Sequence, residues 1–201
     1  MPSYPFPNFR ARRFEIFIKT VELSPSKKLL DIGGFPELWE GSGYESQVTI
    51  LNINKIGQNT SLVRFIEGDA CEMRMFGDNQ FDIVYSNSVI EHVGNFEKQQ
   101  LMAEEIRRVG RKYWVQTPNK YFPVEVHFLF PFFQFFPKKV RHRISQVWPF
   151  SFAKFYGLDP IKEADSIWPL SIKDMRTLFP ESEIIKERIC GLTKSIIAVA
   201  K

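Results

Sequence analysis

Cysteine is scarce in this 201-residue chain: Cys71 and Cys190 are the only two, and they form no C-x-x-C pair. A disulfide framework, a structural zinc site and a dithiol redox motif are thereby excluded as organising features, and no metal ligand set is expected. No apolar run reaches the ~18 residues that a membrane-spanning helix needs. The N-terminal stretch Met1-Pro-Ser-Tyr-Pro-Phe-Pro-Asn8 carries prolines where a secretory signal has its apolar core, so a cytosolic protein is expected. Charge is nearly balanced at a net +4, with the densest basic residues confined to one short run, so nucleic acid is not an expected partner. No internal repeat is visible.

What the chain does have is phenylalanine, 20 residues of it, and a short apolar run that ends on an acid and two glycines. Lys27 to Ile32 reads as a buried parallel strand, and Gly33-Gly34 supply the permissive backbone of a sharp turn at its C-terminal end. Ligands bind at that end of the strands in open α/β sheets. The length suits one domain over residues 1–201.

Three more apolar runs follow in order. Val48 to Asn52 ends on a polar residue, Arg64 to Ala70 ends in Gly68-Asp69-Ala70, and Phe81 to Ser86 leads through Asn87 into Glu91-His92. Before the first strand, Asn8 can cap a helix whose apolar face is Phe9, Phe14, Ile16, Phe17, Val21 and Leu23, with Arg10, Arg12, Arg13 and Lys19 around the rest. Between the first two strands only a short helix, Pro36 to Trp39, has room. Lys55 to Ser61 is too short for a crossover helix, and a loop is expected there. Phe96 to Val109 has the spacing of an amphipathic helix in Met102, Ile106 and Val109, with Glu104 four residues before Arg108. Lys112 to Gln116 reads as a fifth strand. Ser171-Ile-Lys-Asp174 has the form of a capping box opening a helix that ends by Pro180, and Glu183–Ile189 with Ser195–Ala200 reads as a closing hairpin around Gly191.

The order Asp31-Ile-Gly33-Gly34, Gly68-Asp69-Ala70, Phe81-Asp-Ile-Val and Glu91-His92 resembles the class I S-adenosylmethionine-dependent methyltransferases, in their small-molecule, type 11-like branch. The resemblance covers roughly residues 27–125. It implies a Rossmann-like three-layer α/β sandwich: a mostly parallel seven-stranded sheet with an antiparallel last strand, here with abbreviated helices and an insertion after the fifth strand. It further implies that Asp31, Gly33 and Gly34 meet the methionine end of S-adenosylmethionine, that Asn52 stands where an acidic residue commonly takes the ribose hydroxyls, that Asp69 accepts from the adenine amino group with Ala70 beside the ring, and that Asn87 lies near sulfur. Phe35 and Pro36 occupy positions where the family carries its third glycine. Methyl transfer from a sulfonium is a one-step displacement, so positioning dominates and at most one general base is needed. His92 is the first candidate and His127 the second, each an imidazole that can exchange a proton near neutral pH.

Residues 117–170 form the insertion, an aromatic-rich lid or substrate segment. Its Phe128-Leu-Phe-Pro-Phe-Phe-Gln-Phe-Phe136 run is followed by Lys138, Lys139, Arg141, His142 and Arg143, with His142 read as solvated. Aromatic surface beside a basic cluster suits peripheral contact with an anionic membrane, or an apolar acceptor with a charged head; packing inside a lid is the structural alternative. The expected activity is methyl transfer to a small-molecule acceptor, lipid-linked or glycan-derived. A degenerate methyltransferase fold serving as a membrane-associated or protein-binding module is the alternative, motivated by Asn52 and the missing glycine. A nicotinamide dehydrogenase fits less well, since Gly33-Gly34 is not G-x-G-x-x-G and Asn52 is not acidic.

Overall fold

The computed structural model describes residues 7–54 and 63–201. The expected loop over Lys55 to Ser61 lies outside the described residues, as do positions 1–6 of the proline-rich start. The architecture is α/β and Rossmann-like. Its seven-stranded sheet comprises β1 (Leu29–Ile32), β2 (Val48–Asn52), β3 (Val63–Glu67), β4 (Phe81–Asn87), β5 (Gly110–Pro118), β8 (Glu183–Ile189) and β9 (Leu192–Ala200). The order is β3-β2-β1-β4-β5-β9-β8, mostly parallel with an antiparallel strand beside β5, and a separate two-stranded sheet pairs β6 (Val124–Glu125) with β7 (Phe130–Pro131). Six α-helices are described: α1 (Pro7–Val21), α2 (Phe96–Val109), α3 (Lys138–Val147), α4 (Phe152–Phe155), α5 (Pro160–Ser166) and α6 (Ile172–Leu178).

The chain falls into two compact units, one made of residues 1–86, 105–114 and 199–201, the other of 87–104 and 115–198. In the first unit β1 is buried along its whole length and pairs in parallel with β2 on one side and β4 on the other. The chain therefore reverses direction of winding at the β1/β4 edge, the crevice position at which α/β sheets take ligands. Phe17 of α1, fully buried, packs its ring against Tyr85, Trp114 and Trp39 at centroid distances of 4.6, 5.7 and 6.4 Å. Among the short pieces between β1 and β2, Pro36–Leu38 is a single 3-10 turn ending at Trp39, as the available length dictates.

Several local expectations are corrected. α1 begins at Pro7, so Asn8 lies inside its first turn instead of capping it. Ile16 is exposed and Arg13 buried, so the buried stripe is Arg13, Phe17 and Val21, rotated from the one read by hydrophobicity alone. Arg108 pairs with Glu105, three residues back, at 2.6 Å, not with the exposed Glu104. β5 runs two residues longer at each end than read from Lys112 to Gln116. The hairpin turn is two residues, Cys190 (φ 49°) and Gly191 (φ 80°), the left-handed pair that matches strand twist.

In the second unit α6 opens with a complete capping box: Ser171 Oγ accepts from the Asp174 N–H, and Asp174 accepts from the Ser171 N–H. The Phe-rich run divides. Phe128 and Phe133 are buried, stacked at 4.1 Å and packed with Ala164 and Ile167, while Phe132, Phe135 and Phe136 are exposed. His142 is only partly solvated: half-buried, its Nε2 lies 2.9 Å from Asp165 Oδ1, and Lys138 holds the other oxygen of that carboxylate at 2.9 Å. None of the described helices is long and apolar enough to cross a membrane.

Candidate functional site

In the first unit the residues expected to bind a ligand gather at the strand ends. Asp31 is the third residue of β1, 1 % exposed, and its Oδ2 accepts from the Trp39 indole N–H at 2.7 Å. Its Oδ1 is buried with no hydrogen-bond partner among the described residues. Burial raises this carboxyl from 3.8 to about 7, against the lowering pull of the Trp39 bond. An orphaned acceptor in such a place costs roughly 1–3 kcal/mol until a donor reaches it.

The two glycines do different things. Gly33 takes φ 69°, the left-handed turn, and spends its N–H on Leu51 O at 2.8 Å, so it shapes the loop instead of donating to a ligand. Gly34 is required by proximity, because a Cβ built on it falls 1.8 Å from Asp31 Oδ2. Phe35, in the position of the third glycine, is 55 % exposed and so points to solvent.

At the end of β2, Asn52 Oδ1 accepts from the Ile53 N–H at 2.9 Å, which leaves the carboxamide NH2 as its outward group, a donor where an acidic residue would accept. Beyond β3, Asp69 is exposed and fixed by its Oδ1, which accepts from the Cys71 N–H at 2.8 Å; Ala70 next to it is buried. Asn87, the last residue of β4, belongs to the second unit and is half-buried.

The second unit brings His92 and His127 together, 35 positions apart in sequence, with Nε2 atoms 3.2 Å from each other and rings at right angles. His92 ends a 3-10 turn (Ile90–His92), and His127 follows β6. Glu125 organises the pair. Its Oε1 accepts from His127 Nδ1 at 2.6 Å, and its Oε2 accepts from the backbone N–H groups of His127 and Phe128 at 2.8 and 2.9 Å. That fixes the tautomer, placing a proton on Nδ1 and turning Nε2 toward His92. Glu91, 1 % exposed, is pinned by Thr117 Oγ1–H donating to Oε2 at 2.9 Å and by the Trp168 N–H donating to its carbonyl at 2.7 Å. Its Oε1 has no hydrogen-bond partner among the described residues.

Burial lowers the His92 imidazole to about 4, helped by the neighbouring His127 charge. Burial also opposes the charged form of His127, but the Glu125 carboxylate outweighs it and carries that imidazole to about 9. Glu91 is pushed by burial to about 7. Sequence reading named both histidines and missed Glu125, Trp39 and Thr117. The Glu125-Val-His127 spacing was a usable signal, because an i, i+2 acid can bond the imidazole and the following amides at once. Trp39 had none.

Residues 42–113 match the family model described as a methyltransferase domain. That span takes in Asn52, Asp69, Ala70, Asn87, Glu91 and His92 and stops short of the Asp31–Gly34 loop. No curated protein matches the sequence. Among solved structures, the fold is shared with an S-adenosylmethionine-dependent methyltransferase from Archaeoglobus fulgidus at 14 % identity and TM-score 0.58, covering 95 % of this chain and 91 % of that one. A phosphoethanolamine N-methyltransferase of Haemonchus contortus, solved with phosphomonomethylethanolamine and S-adenosylhomocysteine, matches at 14 % identity and TM-score 0.58 over 90 % of this chain and 39 % of its own. A Rhodobacter sphaeroides protein described as a Zn-dependent alcohol dehydrogenase matches at 12 % identity and TM-score 0.60, over 94 % of this chain and 87 % of that one. At these identities the likeness is one of fold. The fold is that of the class I, S-adenosylmethionine-dependent methyltransferases, and residues 42–113, about a third of the chain, match the methyltransferase-domain model.

Proposed function

We propose that this chain, with its class I methyltransferase fold, moves a methyl group from S-adenosylmethionine to a small-molecule acceptor of the lipid-linked or glycan-derived kind. One observation carries the cofactor reading: Asp31 holds a buried carboxylate oxygen with no hydrogen-bond partner among the described residues, near the C-terminal end of the central strand, where the methionine ammonium of the cofactor would supply the missing donor. The remaining residues fit in the same sense. Asp69 accepts from an adenine amino group with Ala70 against the ring, Asn52 donates its amide to a ribose hydroxyl, and Asn87 contacts the cofactor near its sulfur. When bound, the cofactor supplies an electrophilic methyl group. His92 and His127 are the proton acceptors at their facing Nε2 atoms; because Glu125 carries His127 to about 9, the pair is free to take the acceptor's proton only as pH rises toward that value.

The acceptor class rests on residues 117–170, proposed as a lid or acceptor-binding insertion. Phe132, Phe135, Phe136, Phe150 and Phe155 are exposed there, with Lys139 and Arg143 exposed beside them. Such a surface suits an acceptor presented at an anionic membrane.

Calorimetry with S-adenosylhomocysteine tests the reading, with NAD as the control. Micromolar binding of the former alone is expected, weakened in Asp69→Ala and Asn52→Ala, while His92→Ala leaves affinity unchanged and lowers turnover. A folded protein that binds neither nucleotide refutes the methyl-transfer reading, and unchanged affinity in both variants refutes the residue assignment.

A further inference from the structure

We propose that Glu91, His92 and His127 form a site for a divalent transition metal, with Glu125 as the carboxylate that orients His127. The two Nε2 atoms stand 3.2 Å apart, and one ligand atom from each of Glu91, His92 and His127 lies within 4.8 Å of the other two. Two imidazole nitrogens bound to one tetrahedral metal at about 2.0–2.1 Å are necessarily about 3.3 Å apart, so the histidines already have the separation that a shared ion imposes.

Three further observations point the same way. With Nδ1–H committed to Glu125, the Nε2 of His127 faces the Nε2 of His92, and either a shared proton or a metal ion can sit between the two nitrogens. A metal-bound histidine characteristically donates its other ring N–H to a carboxylate, the arrangement made here by Glu125 at 2.6 Å. Glu91 Oε1 is the independent sign of a ligand: the residue is 1 % exposed, its Oε2 is satisfied by Thr117, and Oε1 has no hydrogen-bond partner among the described residues.

Two histidines and one glutamate form a donor set suited to Zn²⁺ and related ions, and three protein donors leave a coordination position open. That position suits an acceptor hydroxyl: on binding it releases its proton to solvent, its oxygen forms the O–CH3 bond, and the S–CH3 bond breaks with its electron pair left on sulfur. This last step rests on the methyl-transfer reading; metal binding does not.

The test is titration of the purified full chain with Zn²⁺ and with Co²⁺, in a Cys190→Ser background that removes the exposed thiol. One ion per chain is expected, with visible Co²⁺ absorption bands and no thiolate charge-transfer band. Affinity should fall at least ~100-fold in His92→Ala and in His127→Ala, and ~10–100-fold in Glu125→Gln, which keeps the shape of the side chain. His142→Ala should leave it unchanged. Acetohydroxamate, a simple oxygen ligand, should shift the Co²⁺ spectrum if a position is open. A folded wild type that binds neither ion, or histidine variants that retain full affinity, overturns the site, and a spectrum indifferent to acetohydroxamate overturns the open position. S-adenosylhomocysteine binding without metal binding leaves the methyl-transfer reading standing with the histidines as a proton pair. Metal binding without S-adenosylhomocysteine binding supports the site and removes that reading.

Discussion

Asp31 is a carboxylate placed where a carboxylate is costly. Burial holds its proton on to about pH 7, so between about 4 and 7 the folded chain binds a proton that the unfolded chain releases. Stability contributed by this group is therefore lost as pH rises through that window. Asp31→Asn keeps the shape and the contact with Trp39 while removing the titration. Urea melts of the variant at pH 5 and pH 8 should differ less than those of the wild type, and parallel pH dependences would show that Asp31 is ionised in the fold. The same substitution should weaken S-adenosylhomocysteine binding, because the ammonium would meet a neutral amide in place of a carboxylate.

At the scale of elements, the piece most dependent on one side chain is the turn segment 70–79 between β3 and β4. Arg108, near the C-terminus of α2, donates Nη1–H to Phe76 O and Asp78 Oδ1 and Nη2–H to Met73 O, while Glu105 pairs with its Nε. A planar fork of donors can satisfy several carbonyls at once; an ammonium cannot. Arg108→Ala should cost about 2 kcal/mol, from hydrogen bonds to a charged group discounted for the partly exposed setting. Arg108→Lys should recover only a minor part. Urea midpoints at constant m-value would measure both, and an unshifted midpoint in Arg108→Ala would mean that the segment holds itself. In the insertion, by contrast, stacked Phe128 and Phe133 and the Asp165 pairing with Lys138 and His142 divide the work among several side chains.

For the molecule as a whole, the question is what its exposed aromatics meet. Asp165 already neutralises part of the basic run, while Lys139 and Arg143 stand exposed to an external partner. Flotation with anionic vesicles is expected at low salt, falling as ionic strength shortens the Debye length below about 8 Å, and reduced in a Lys139→Glu/Arg143→Glu variant. Neutral vesicles should bind less. Absence of flotation with anionic vesicles would confine the exposed phenylalanines to a lid.

The sequence by itself determined the strand series, α2, the capping box of α6, the closing hairpin and the glycine turn at the end of β1. Each of these rests on local rules: alternation or 3.6-residue periodicity, a turn residue with positive φ, a side chain bonding amides two or three positions away. Tertiary structure alone decided which residues meet across long sequence distances. His92 and His127 were legible as candidates but not as a pair, and Glu91 was read as a neighbour of His92 without its buried, unpartnered oxygen. Trp39 on Asp31, and the collision that forbids any side chain at Gly34, could not be read at all. Phe128 and Phe133 could not be told from Phe132 and Phe135 by composition, because burial follows from packing, and identical residues in one run were divided between core and surface by the turn that carries them.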